Sequence, residues 1–263
     1  MAETYVNGVR LNYRLDGPEG APVVLLSNSL AASLSMWEGQ LPALVGAGFR
    51  VLRYDTRGHG ASEVVPGPYS MEMLTADALA LLDGLNLERV HFCGLSMGGM
   101  VGQMLGTHHG ERLHSLILCD TAAYTGPPEV WNRRIKAVSE GGMEAVVNET
   151  IERWFTPPGL KRLPREVRDI RAGILATPVE GYCACGSAIR DMDQRQSIRA
   201  ITTPTLVVVG EQDPGTTVEM AREIQGRIKG AELKIIPESA HLCNIEQPGL
   251  FNRSLLEFLA RHH

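Results

Sequence analysis

The chain has 263 residues, 44% of them apolar and 21% charged, with a formal net charge of −5. That length buries a full core without covalent staples, and the mild acidity offers no broad basic surface for nucleic acid. No stretch approaches the roughly 18 apolar residues of a membrane span. The start has no basic-then-apolar leader, and the five cysteines show no framework spacing, so a reduced, cytoplasmic protein is expected.

In chain order, "TYVNGVRLNYRL" alternates apolar and polar residues around Asn7-Gly8, a hairpin signal. "PVVLLS" is a continuous apolar run, as in a strand buried on both faces. "MWEGQLPALVGAG" has helical spacing and a glycine stop. "FRVLRYD" is a strand, followed by the loop "TRGHGAS", in which His59 is read as a brace. "SMEMLTADALALLDGLN" is an amphipathic helix, "RVHFCGL" a strand, "MGGMVGQMLGTHHG" a helix and "LHSLILCD" a strand.

From about Tyr124 to Ala200 the alternation stops: this block has helical segments, several prolines and no convincing strand. It then resumes with "TPTLVVVGEQD", "TTVEMAREIQGRI", "AELKIIPE" and "QPGLFNRSLLEFLARHH". Strands alternating with helices predict a mostly parallel, eight-stranded sheet with helices on both faces. Residues 1–123 and 201–263 would form that core. Residues 124–200 would be a helical cap inserted over the carboxyl ends of the strands, where open α/β sheets bind ligands.

Gly94-Leu95-Ser96-Met97-Gly98 fits G-x-S-x-G. It follows a buried-type strand and opens a helix, which is the setting of a nucleophile held up on a sharp turn. Small flanking residues let strand and helix approach, and the free N–H groups of the helix start favour an oxyanion. A serine hydroxyl needs a base, and the base an orienting acid. Past the helical block the histidines are His241, His262 and His263, and the last two sit at the terminus. His241, in the loop "SAHLCNIEQP", is therefore the expected base. Two acids end strands, Asp213 in "LVVVGEQD" and Asp120 in "LILCD"; Asp213 is preferred, because an acid after the penultimate strand is the commoner arrangement. The backbone N–H groups of Met97 and Leu30 are the expected oxyanion donors.

"LSNSLAASLSMW", "FRVLRYDTRGHGAS", "FCGLSMGGM", "GPPEVWNRR", "RWF", "EGY" and "SAHLCNIEQP" together resemble the 3-oxoadipate enol-lactonases of the α/β-hydrolase superfamily. The resemblance implies an α/β-hydrolase fold, a triad of Ser96, Asp213 and His241, no cofactor and no metal. It further implies hydrolysis of a five-membered enol lactone bearing an acetate arm, in aromatic catabolism. Pro214 and Gly215, directly after the acid, depart from the family pattern, and "CACGSAIRDMDQRQ" matches loosely.

An anionic substrate calls for a cation. The helical block holds twelve Lys/Arg against ten Asp/Glu, unlike the acidic remainder. Arg133 and Arg134 beside Trp131, and Arg153 beside Trp154, are the candidates, since a guanidinium matches a carboxylate in two contacts. The two tryptophans either wall the pocket or pack the block onto the sheet. A carboxylesterase or another small-ring lactonase, with perhydrolysis as a side activity, would use the same triad, as would a receptor built on the same scaffold. The expected partner is a small lactone or ester rather than a membrane or nucleic acid. Monomer and homo-oligomer are equally compatible with the sequence.

Overall fold

The computed structural model describes residues 2–262; His263, set aside above as terminal, lies outside them. Eight strands form one sheet: β1 Ala2–Val6, β2 Val9–Asp16, β3 Val23–Ser27, β4 Arg50–Tyr54, β5 Val90–Leu95, β6 Leu113–Cys119, β7 Thr205–Gly210 and β8 Glu232–Ile236. Their order is β1-β2-β4-β3-β5-β6-β7-β8. β1, β2 and β4 pair antiparallel; every later pairing is parallel.

The hairpin closes with Val6 opposite Val9, and Asn7 and Gly8 both adopt positive φ (47° and 73°). That is the left-handed pair a two-residue hairpin turn requires. β3, β5 and β7 are buried along their whole lengths, as parallel strands covered on both faces must be.

The helices are α1 Leu41–Gly46, α2 Met71–Gly84, α3 Met97–His108, α4 Pro128–Gly141, α5 Glu144–Trp154, α6 Pro157–Arg162, α7 Pro164–Ala176, α8 Val179–Asp191, α9 Val218–Arg227, α10 Cys243–Glu246 and α11 Pro248–Leu259. The "MWEGQLPALVGAG" segment is not one helix: a 3₁₀ turn, Leu34–Trp37, precedes α1. The loop of His241 also holds the short helix α10, which alternation alone did not suggest.

Between β6 and β7 all five regular helices, α4 to α8, lie without a strand among the described residues. The prolines of this block begin its helices. Pro128, Pro157 and Pro164 occupy first-turn positions, where a missing N–H costs nothing. α8 rests on the 56–62 loop through a glycine pair. A Cβ on Gly181 would lie 2.0 Å from Gly58 O, so neither position accepts a side chain.

Parallel register aligns the strand ends. Ser27 is opposite Gly94, Leu95 opposite Cys119, Cys119 opposite Val208 and Gly210 opposite Ile236. The loops that follow β3, β5, β6, β7 and β8 therefore emerge along one edge of the sheet.

Candidate active site

Ser96 sits between β5 and α3 with φ 57° and ψ −114°. A non-glycine residue there is strained and must be held by its surroundings. Ser96 N–H donates to Cys119 O (2.9 Å), while Thr121 Oγ1 (2.7 Å) and Met100 N–H (3.0 Å) donate to Ser96 O. The turn is tight because strand and helix nearly touch. A Cβ on Gly94 would lie 2.2 Å from Gly98 O, and one on Gly98 would lie 2.2 Å from Ser27 O.

The loop after β3 is pinned from both sides. Asn28 Nδ2 donates to Tyr54 O (2.7 Å) and Asn28 Oδ1 accepts from Trp37 Nε1 (3.0 Å), while Asn28 O receives Gly98 N–H (3.0 Å). Leu30 and Met97 have N–H groups with no acceptor among the described residues. The next N–H, of Ala31 (φ 62°), donates to His59 Nε2 at 3.0 Å. His59 is fully buried, and burial lowers its pKa to about 4, so the ring is neutral and accepts that bond. Its brace is thus on the Leu30 loop itself.

His241 and Asp213 are both buried, and His241 Nδ1 donates to Asp213 Oδ2 at 2.7 Å. Asp213 Oδ1 accepts from Gly215 N–H (2.8 Å) and Thr216 N–H (3.1 Å), and Thr216 Oγ1 also bonds Oδ2. Burial pushes this carboxyl up, but the charge of His241 and these hydrogen bonds outweigh it and hold Asp213 below the usual carboxylate range. Pro214-Gly215, the departure from the family pattern, turns the chain so that its amides wrap the acid. Thr216, whose Oγ1 is also 3.2 Å from His241 Nδ1, went unread in the sequence. A "D-P-G-T" turn after a strand is the signal that would have found it.

Asp120 does not bond His241. Its Oδ1 accepts from Gly210 N–H (2.7 Å) and its Oδ2 bonds Cys243 Sγ (2.8 Å). Burial first, and Asp213 next, raise its pKa well above the carboxylate range, favouring the protonated form.

Ser96, His241 and Asp213 open on one cavity of about 180 Å³, with Ser29 and Leu30. No hydrogen bond joins Ser96 Oγ to the imidazole; such bonds often tighten only when substrate arrives. Trp131, Arg134, Arg153 and Trp154 line the same cavity. Arg133 does not: it is exposed, because helical neighbours point about 100° apart and Arg134 takes the inward position. Trp154 both walls the cavity and packs, its ring stacked on His241 at an interplanar angle of 29° with ring centroids 5.9 Å apart.

The Arg134 guanidinium is 5.4 Å from the Trp131 ring and donates to Thr150 Oγ1 (3.1 Å). It has no carboxylate partner among the described residues. Arg153 Nε is buried without a hydrogen bond, 3.7 Å from Glu149. Burial and the charge of Arg134 lower the Arg153 pKa.

All five cysteines are free. Cys183 and Cys185 turn to different carbonyls, those of Ile135 and Arg57, so they share no site. Among the described residues no group of three His, Cys, Asp or Glu is placed to hold a metal, and no helix is long and apolar enough to cross a membrane.

The chain, whose Ser96 turn shares a cavity with the His241–Asp213 pair and with residues of α4 and α5, is matched by a family model. That model, described as alpha/beta hydrolase fold, covers residues 22–248. The chain belongs to the α/β hydrolases. The 3-oxoadipate enol-lactonase 2 of Acinetobacter baylyi is 38% identical over 253 residues, which is 96% of this chain and 94% of the relative. The crystal structure of the enol-lactonase from Burkholderia xenovorans LB400 superposes with a TM-score of 0.96 at 42% identity, covering 98% of this chain and all of that one. A thermophilic esterase from Thermogutta terrifontis, solved with malate bound, has a TM-score of 0.93 at 30% identity, with both chains fully covered. This α/β hydrolase is thus similar to the enol-lactonases over nearly its whole length.

Proposed function

We propose that the protein is a cytoplasmic enol-lactonase that hydrolyses 3-oxoadipate enol-lactone to 3-oxoadipate through an acyl-enzyme on Ser96. Residues 124–200 act in this reading as a cap on a core of 1–123 and 201–263. The observation that carries it is one cavity shared by Ser96, the His241–Asp213 pair and two arginines; among the described residues Arg134 has no carboxylate partner and Arg153 only a distant one. The likeness to enol-lactonases supports the substrate.

His241 Nε2 takes the Ser96 proton as Oγ attacks the lactone carbonyl. The N–H groups of Leu30 and Met97 receive the oxyanion; one such donor is worth on the order of 10²–10³ in rate. Collapse breaks the ring C–O bond, the enol oxygen takes the proton held by His241, and the acyl group stays on Ser96. The freed enol tautomerises to a ketone. Water, losing a proton to His241, then attacks the acyl carbon, and the returning proton restores Ser96. Asp213 holds the imidazole with Nε2 facing the cavity and stabilises its charged form. Arg134 and Arg153 receive the acetate arm.

The test is the loss of enol-lactone ultraviolet absorbance, with p-nitrophenyl acetate as a substrate lacking the arm. Turnover of the lactone far above the acetate, abolished in Ser96→Ala, is the expected result. Good acetate hydrolysis without lactone turnover would move the assignment to a carboxylesterase or another lactonase, with perhydrolysis as a side activity. The likeness to the Thermogutta esterase favours that second reading. Replacing either arginine by Met should raise KM for the lactone about ten- to a hundredfold, the worth of a charged hydrogen bond. Acetate hydrolysis should change far less.

A further inference from the structure

We propose that Glu246 is a positioning residue that ties the helical block to the backbone beside His241, so that the block helps to align the base. Glu246 ends α10, five residues after His241, and is buried. Its two carboxylate oxygens face opposite ways in the chain. Oε2 accepts from Ala240 N–H at 2.7 Å, the residue directly before His241. Oε1 accepts from Thr156 N–H (3.1 Å) and Thr156 Oγ1 (2.8 Å), at the start of α6. No Lys or Arg forms an ion pair with this carboxylate among the described residues; Arg162 instead donates to the Glu246 backbone oxygen (3.1 Å).

Three neutral donors on a buried carboxylate make strong, charge-assisted bonds, and removing the acceptor strands each donor. A second seam runs alongside. Leu242 N–H, directly after His241, donates to Trp154 O (3.1 Å), and the Trp154 ring lies against the imidazole. The base therefore sits on a three-residue strip, Ala240 to Leu242, whose two flanking amides are both held through residues 154–156. Asp213 orients the ring; Glu246 fixes the backbone from which the ring hangs. That is a separate task, and Glu246 is not among the residues that line the cavity.

The test is the rate at which a fluorophosphonate probe labels Ser96, together with kcat and KM on p-nitrophenyl acetate. Glu246→Gln keeps the size but turns one accepting oxygen into an NH₂ that faces an N–H. Its labelling rate and kcat should fall by about 10²-fold, as expected of a base displaced by about an ångström, with KM unchanged. Thr156→Val removes the hydroxyl that bonds Glu246 and also caps α6 by accepting from Gly159 N–H (3.0 Å), and should give a smaller fall in the same two quantities; Thr156→Ser retains both bonds and should restore the rate.

Wild-type labelling and kcat in a folded Glu246→Gln protein would overturn the proposal, as would a loss confined to KM. If the Gln variant folds poorly, the Thr156 pair decides: equal rates for Val and Ser overturn it. The inference rests on Ser96 and His241 acting as in the proposed function. Because labelling needs no lactone, a wild-type enzyme that labels but leaves the lactone intact would sink the substrate assignment alone.

Discussion

Ser96 occupies a conformation that a serine adopts only under constraint, and three hydrogen bonds from its neighbours supply that constraint. The acids around the base are sorted just as locally. Asp213 is held charged by His241, Thr216 and Gly215, and Asp213→Asn should lower kcat by about 10⁴-fold, the loss seen when a triad imidazole is left in the wrong tautomer. Asp120 presents the opposite case. Its folded pKa is raised, so the native state binds more protons than the unfolded chain above the ordinary carboxylate range, and stability falls as pH rises through that range. Asp120→Asn removes the titration and keeps a neutral group for Gly210 N–H and Cys243. The variant's Tm should therefore exceed that of the wild type at pH 8 and converge with it near pH 4. A gap of constant size across that range would show that ionisation of Asp120 plays no part.

At the scale of elements, the positions of the candidate-site loops were legible wherever one local rule placed them. A serine between small residues at a strand–helix turn, an acid ending a buried strand and a histidine after the last strand each announce themselves in a few letters. What was not legible depended on which way a side chain faces after packing. Arg133 and Arg134 are adjacent in sequence and differ only in helical phase relative to α8. Thr216 and Glu246 matter through partners 25 and 90 residues away. His59 was read as a brace, but its acceptor role toward Ala31 needed the loop after β3 to be in place. The fit of β5 to α3 is unforgiving: Gly98→Ala sets a methyl group against the Ser27 carbonyl. It should cost at least about 1–3 kcal/mol, the range for overpacking, measured as a lower urea midpoint. Label-resistant Ser96 should accompany it, since the same carbonyl strand carries the Leu30 loop.

Across the whole molecule, charge is distributed unevenly: residues 124–200 carry 12 Lys/Arg against 10 Asp/Glu, while the rest of the chain carries 13 against 20 and so more than accounts for the net −5. In the proposed function, the carboxylate-bearing substrate approaches the side that repels it least. If that steering contributes, kcat/KM for the lactone should fall several-fold between about 0.02 and 0.5 M salt, where the screening length shrinks from tens of ångströms to a few. The value for p-nitrophenyl acetate should stay flat; parallel curves for both substrates would assign the effect to the enzyme rather than to steering.

The sheet order has a further consequence, in time rather than in space. β7 and β8 are the outermost strands on their side and follow the other six in the chain, and Asp213, His241 and Glu246 all follow them or lie between them. A nascent chain on the ribosome can pair β1 to β6 and raise Ser96 on its turn while possessing neither partner. In the proposed mechanism the growing polypeptide therefore stays inert toward esters long after Ser96 is in place, and acyl transfer switches on only once Asp213 and His241 have both emerged.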